Sequence, residues 1–424
     1  MSHTDFIRKT LNLKDSNIIF DDNWYSERLI NQVIVKFYHG VLTYVPEACY
    51  SCGHIVDDQL IKHGFKTSVI KLPSISGYNA CLELKKQRYF CKHCNSTFTL
   101  RSTLVDKHCF ISNNTKHAIA INIKDKISEK DLAKKYNVSH VTVSRIIDNA
   151  FISYKPSFNA LPRNLCFDEF KSVKSASGSM SFIFCDADNH SIIDIVEDRR
   201  LHVLRRYFSQ YSKQARENVD RIVIDIYSPY MTLITELFPN AKIVIDRFHI
   251  VQLFSRALNK TRIAIMNDHP SNYSSFKKYW KLILRDSSKL DTEKHRYHRV
   301  FKRNMTDYQV LGHLLSLSEE LRHSYECYQN VLFCIRNNNY ELLENTLKTS
   351  KLLVSDYMKT SINTIRTYKQ YISNTLSCRY TNGVIEGINN KIKVIKRIAF
   401  GYKSYYHFRN RILITQGILK IKTA

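Results

Sequence analysis

RIVIDIY (221–227) is a near-continuous apolar run, and AKIVIDRFH (241–249) repeats its pattern a short way on. Short apolar runs of this kind, each followed at once by a helical pattern, read as strands buried on both faces. A helix is expected to start around Pro229 after the first run, and the second runs directly into another. Upstream, NLCFDEF (164–170), SFIFCDA (181–187) and SIIDIVE (191–197) read as three successive strands. A turn at Gly178 separates the first two, and a helix is expected over about 201–217. Three antiparallel strands followed by two β-α units is the order of a ribonuclease-H-like sheet. The expected class is therefore α/β.

These strands carry acids where acids are costly. Asp168 lies inside LCFDEF and Asp225 inside RIVIDIY, and an ionised carboxylate in a buried strand needs a partner or a metal. A strand-end aspartate also caps a following helix, and Ser228-Pro229 directly after Asp225 keeps that reading open. Asp246 sits in KIVID much as Asp225 sits in RIVID, and it opens a D-x-x-H pair with His249. On residue logic alone, either aspartate fits as the second metal ligand.

A third carboxylate lies far downstream. In NGVIEGINNKIKVIKRIAFGY (382–402) Glu386 is the only acid between Cys378 and Ala424, against ten Lys or Arg. A segment built simply to hold polyanions has no need of it. Carboxylates converging on one sheet edge can hold two divalent ions, and oxygen-only ligands favour Mg²⁺, or Mn²⁺ in its place. At helical spacing Asn389, Asn390, Lys393 and Arg397 fall on roughly one face with Glu386, suited to holding DNA phosphates.

Changes of period divide the rest. An N-terminal α/β segment (1–48) precedes a Cys₄ zinc-binding domain (49–108). In the latter, Cys49/Cys52 and Cys91/Cys94 form two C-x-x-C pairs, and a β-hairpin must lie between them. His54 and His93 stand beside the pairs as possible substitutes for a thiolate. A helix-turn-helix domain is expected over 109–158: Ser128 opens EKDLAKKY, Asn137-Val138 turns, and Ser139 caps HVTVSRIIDNA. Val143, Ile146 and Ile147 then face inward, leaving His140, Thr142 and Arg145 outward for DNA. A ribonuclease-H-like core is expected over 159–261 and 377–424, around an all-α insertion at 262–376.

The charge agrees with a polyanionic partner. The 424 residues contain 64 Lys plus Arg against 38 Asp plus Glu, a formal charge of +26. No run of about 18 apolar residues appears, so no membrane span is expected. Eleven cysteines without a secretion signal point to a reducing, cytoplasmic setting.

Taken together, the Cys₄ knuckles, the D-E-F strand, V-x-D with its Pro-Tyr helix start, F-P-x-A-x-I-V-x-D-R-F-H and N-G-x-x-E-G-x-N-x-K-I-K-x-x-K-R-x-x-x-G-Y resemble the ISL3 family of bacterial insertion-sequence transposases. The resemblance runs over nearly the whole chain in the family order. It implies a DDE transposase that binds terminal inverted repeats of double-stranded DNA and cuts and joins strands with Mg²⁺. By position, Asp168 and Asp225 match the two catalytic aspartates and Glu386 the glutamate, while Asp246 and His249 match a supporting D-x-x-H pair. It further implies structural Zn²⁺, a homo-oligomeric synaptic complex and a place at the nucleoid. Two rivals are a zinc-containing helix-turn-helix regulator without catalysis, and a ribonuclease-H-type nuclease that cuts without joining.

Overall fold

The computed structural model describes residues 2–55, 58–151, 154–350 and 353–421. The chain forms two compact units, Met1–Lys155 with Ile392–Ala424, and Pro156–Lys391.

In the first unit, helix α1 (His3–Thr10) precedes strands β1 (Ile18–Ile19), β2 (Tyr25–Ile30), β3 (Val33–Leu42), β4 (Leu60–Ile75), β5 (Tyr78–Cys91) and β6 (Ser96–Thr99). All six share one sheet. β4 and β5 pair antiparallel and meet at Ser76-Gly77, where both residues adopt positive φ. β3 pairs with β5 in parallel, from Val35 opposite Asn79 to Leu42 opposite Lys86. The boundary expected at 48/49 therefore falls inside a continuous sheet. Alone, β1 to β3 are too small to bury Ile18, Tyr38 and Leu42; with β4 and β5 these share a core with Ile70, Leu82 and Leu84.

Three helices follow: α2 (Asn113–Asn122), α3 (Glu129–Lys135) and α4 (His140–Ala150). Ser128 and Ser139 accept from the backbone N–H of Asp131 and Thr142, so each hydroxyl satisfies a donor that its helix leaves orphaned. Asn137 turns with φ 49° between them. Leu132, Val143, Ile146 and Ile147 are buried.

In the second unit, β7 (Asn164–Lys171), β8 (Met180–Asp186), β9 (Ile192–Val196), β10 (Arg221–Ile224) and β11 (Lys242–Ile245) form a sheet in the order β9-β8-β7-β10-β11. The first three pair antiparallel, and β7–β10 and β10–β11 are parallel. Fully buried Phe167, Phe182, Phe184, Phe208 and Phe238 form one aromatic cluster, with Phe167 edge-on to Phe182 at 5.0 Å. Helices α5 (Leu201–Phe208), α6 (Lys213–Glu217) and α7 (Ser228–Leu237) connect the strands, α7 opening on Pro229.

α8 (Arg247–Asp268) leaves β11 and leads into the insertion. Among the described residues the insertion holds seven further helices, α9 to α15, between Tyr273 and Leu376. It is not all-α: Arg296–His298 and Arg303–Met305 pair as an antiparallel hairpin, β12 and β13. Strands three residues long give no readable alternation, which is why the sequence reads as uninterrupted helix. α15 (Lys369–Leu376) then covers the free edge of β11: the Thr375 hydroxyl accepts from the Ile245 N–H, and the Asn374 amide donates to the Ile243 carbonyl.

The last two helices are α16 (Gly383–Ile398) and α17 (Tyr405–Thr415). α17 lies in the first unit. Its buried Arg411 donates to the Asp125 and Ile127 carbonyls, at 2.9 and 2.7 Å, in the loop between α2 and α3. A guanidinium with several fixed donors satisfies a bundle of loop carbonyls that no helix or strand uses.

Candidate active site and zinc centre

Register brings the acids together. Arg221 lies opposite Asn164 and Val223 opposite Cys166 across β10–β7, while Ile224 lies opposite Ile245 across β10–β11. Continuing those offsets by one or two residues sets Asp225 level with both Asp168 and Asp246. Parallel neighbours about 4.8 Å apart therefore present three aspartates in one row. His249 is in the first turn of α8, and its Nε2 lies 2.9 Å from Asp225 Oδ1. Ligand atoms of Asp225, Asp246 and His249 all fall within 4.8 Å of one another.

Crowded acids away from water resist ionisation. Burial, reinforced by the neighbouring Asp225 charge, pushes Asp168 up to about 7. Burial also raises Asp246, which is 4% exposed. For His249 burial works towards the neutral ring, but its bond to Asp225 and the surrounding acids outweigh that, and the imidazolium is favoured.

The start of α16 reaches into this row. The Asn382 side-chain amide donates to Asp225 Oδ1 at 3.3 Å and to the Phe167 carbonyl at 3.2 Å, and its backbone N–H donates to Asp246 Oδ1 at 3.2 Å. The Asn389 amide donates to Asp168 Oδ2 at 2.8 Å. Glu386 stands four residues after Asn382 and three before Asn389, on the same helical stripe, with an exposed side chain.

Among the described residues Asp225, Asp246 and His249 converge as one cation-sized cluster; Asp168 stands level with Asp225 but outside it, and Glu386 lies on the helix bound to the row. Asn389 differs from the expectation of a phosphate contact: it is 7% exposed, with its amide engaged on Asp168. Asn390, Lys393 and Arg397 are exposed on α16. On α4, His140 and Arg145 are exposed, while Thr142 is half-buried with its hydroxyl 2.9 Å from that of Ser139.

Asn382 escaped the sequence reading; its one signal is a spacing of seven from Asn389, two helical turns on the Glu386 stripe. Glu169 also escaped. It follows Asp168 on the opposite face of β7, where it pairs with Arg199 and accepts from the Tyr230 hydroxyl at 2.7 Å. That network satisfies the second acid of D-E-F and leaves Asp168 alone to face the row.

These residues fit divalent cations. Three carboxylates side by side face one imidazole as counter-charge, and the buried Oδ1 atoms of Asn382 and Asn389 accept from no donor among the described residues.

The cysteines meet a sharper test. Cys49 and Cys94 Sγ atoms lie 3.8 Å apart, Cys52 and Cys91 3.9 Å, and all four lie within 4.8 Å of one another. Thiolates about 2.3 Å from a tetrahedral zinc ion stand about 3.8 Å apart. The positive φ of Gly53 and Asn95 closes the two knuckles. The antiparallel β4–β5 pair is the hairpin expected between them. His54 and His93 stack on each other at 4.6 Å, outside the four-thiol cluster. The four thiols fit structural Zn²⁺.

Comparison with known proteins places the cysteine centre in a known zinc-finger. Residues 165–412 match a family described as transposase, and residues 46–94 match the zinc-finger of transposase IS204/IS1001/IS1096/IS1165. The transposase for insertion sequence element IS1001 of Bordetella parapertussis is 24% identical over 349 residues, 78% of this chain and 80% of that protein. A protein of Lactococcus lactis subsp. lactis described as an ATP-dependent protease is 33% identical over 129 residues, 30% of this chain and 41% of the relative's own length. With the matched family covering more than half of its length, the chain belongs to the ISL3 family of insertion-sequence transposases.

Proposed function

We propose that this chain binds the terminal inverted repeats of its element and catalyses metal-dependent DNA cleavage and strand transfer through Asp168, Asp225 and Glu386. The observation that carries this reading is the row of aspartates across adjacent parallel strands, with the Glu386 helix hydrogen-bonded onto it. The strand order β9-β8-β7-β10-β11, with its antiparallel and parallel pairs, supports a ribonuclease-H-like core. The serine caps and the turn at Asn137 support a helix-turn-helix at α3–α4, with His140, Thr142 and Arg145 towards DNA.

Asp168, Asp225 and Glu386 would hold Mg²⁺ or Mn²⁺, which lowers the barrier for attack on a phosphodiester and stabilises the leaving oxygen. The protein's own part is to place the groups. His249 and the Asn382 amide hold Asp225 in one orientation, and Asp246 anchors the Asn382 backbone and thereby the start of α16. Lys393 and Arg397 neutralise backbone phosphates, and the Asn390 amide offers them a hydrogen bond. Water first attacks a phosphodiester at the element end; the freed 3′-hydroxyl then attacks one in the target. Joining two ends calls for a homo-oligomeric synaptic complex, acting on cytoplasmic, nucleoid DNA. No helix among the described residues is long and apolar enough to cross a membrane.

The test is incubation of labelled element ends with the protein and Mg²⁺. Glu386→Gln is expected to lower cutting and joining by more than about a hundredfold, beyond the usual cost of losing a residue behind a metal ligand, with end binding retained. Wild-type products from that variant would remove Glu386 from the site. Full activity in Asp225→Asn would move the second ligand to Asp246. Cut but never joined products would favour a nuclease.

A further inference from the structure

Asn382 and Asn389 share a chemical oddity. Both side chains are more than nine-tenths buried, at 4% and 7% exposure. Each amide nitrogen donates to a carboxylate in the aspartate row, Asn382 to Asp225 and Asn389 to Asp168. In both, the amide oxygen is buried without a hydrogen-bond donor among the described residues. A buried acceptor left unpaired is destabilising, so one is usually satisfied by a neighbour. Two orphaned oxygens in one cluster, on residues two helical turns apart and bracketing Glu386, make a pattern rather than an isolated defect.

The electrostatics give the nitrogens a purpose. Asp168 and Asp225 are like charges on adjacent strands, and the one imidazole beside them, His249, bonds to Asp225. Each amide N–H presents a partial positive charge to one of them and holds it in place. The donors that divalent ions bring to such a site are their coordinated waters, which hydrogen-bond to nearby acceptors. A side-chain amide is a neutral group that offers, on two separate atoms, a donor for the carboxylate and an acceptor for such a water. An aspartate there would add repulsion, and a leucine would offer neither.

We propose that Asn382 and Asn389 form an amide clamp belonging to the divalent-metal site: their nitrogens hold the Asp225 and Asp168 carboxylates, and their oxygens receive metal-bound waters. They are positioning residues. Because both lie on the stripe of Glu386, the same clamp sets the register of α16 over the sheet and so the height of Glu386 above the row. The inference rests on the carboxylate reading of the site given above.

Calorimetric titration of the full-length, zinc-loaded protein with Mn²⁺ alone, without DNA, tests it. Asn382→Leu and Asn389→Leu are each expected to weaken Mn²⁺ binding about tenfold or more, the usual scale for a residue that orients a metal ligand. Zinc content and end-DNA affinity without Mn²⁺ should stay at wild-type levels, which a general loss of structure would not allow. Should a leucine variant fail to fold, Asn389→Ala, which leaves space in place of the amide, takes its position with the same expectation. Asp168→Asn separates the two layers of the argument. If it binds Mn²⁺ like wild type, the carboxylate site itself falls and the clamp with it. If it loses Mn²⁺ while the asparagine variants stay within twofold of wild type, the clamp alone is overturned.

Discussion

Asp168 is a carboxyl that the fold discourages from ionising, and this has a measurable sign. Its pKa rises from 3.8 to about 7, chiefly through burial. A group raised in this way contributes stability that is fully present below pH 3.8 and is lost as pH climbs through about 7. Without added Mg²⁺ or Mn²⁺, Asp168→Asn should therefore gain stability relative to wild type between pH 5 and pH 8. Melting temperatures at the two pH values check this; a mutant-to-wild-type difference that ignores pH would contradict it. Gly178 shows the opposite kind of constraint. A Cβ at this position would lie 2.6 Å from the carboxyl carbon of Asp198. Asp198 is buried and accepts from the Arg200 N–H, so it has little room to move. Gly178→Ala is expected to cost about 1–3 kcal/mol in urea unfolding, the usual penalty of overpacking, and an unchanged midpoint would show that the turn relaxes freely.

Among elements, α17 is tied to α3 and α4 by an imidazole in addition to its buried face and Arg411. His407 Nε2 lies 2.6 Å from Glu129 of α3, and Nδ1 lies 3.1 Å from Asp148 of α4. Both nitrogens donate only when the ring is charged. The Glu129 bond raises the His407 pKa above 6.5 in spite of burial, so the tie is present below that value and is lost as pH rises through the folded one. His407→Ala should accordingly lower the melting temperature more at pH 6 than at pH 8.5; equal losses would mean that the histidine merely fills space. Ser128 and Ser139 could be placed as caps from the chain alone, because a cap is decided within three residues. The packing of α17 on α3 and α4 was not readable, since its partners stand more than 250 residues away.

At the scale of the whole molecule, zinc sets the condition for folding the six-stranded sheet. Cys91 is fully buried at the end of β5, the strand that pairs with β3, β4 and β6. Purified protein is expected to carry about one zinc ion per chain, and Cys91→Ser to lose it and with it the order of the six-stranded sheet. Elemental analysis and circular dichroism read the two effects, and metal-free wild-type protein with an intact sheet would exclude the zinc role.

Short windows of sequence carried much of this molecule. RIVID and KIVID announce buried strands, two C-x-x-C pairs announce a thiolate site, and one acid among ten cations marks Glu386. Each signal depends on period, ligand spacing or charge within a few residues, so no partner is needed to read it. Other features had no such local signature. The parallel pairing of β3 with β5, the level row formed by Asp168, Asp225 and Asp246, and the amides of Asn382 and Asn389 became visible only once the chain was folded. Register joins strands separated by tens of residues, and burial turns an ordinary asparagine into one with an unmatched oxygen. Both are properties of what lies alongside in space, and only the tertiary structure decides that.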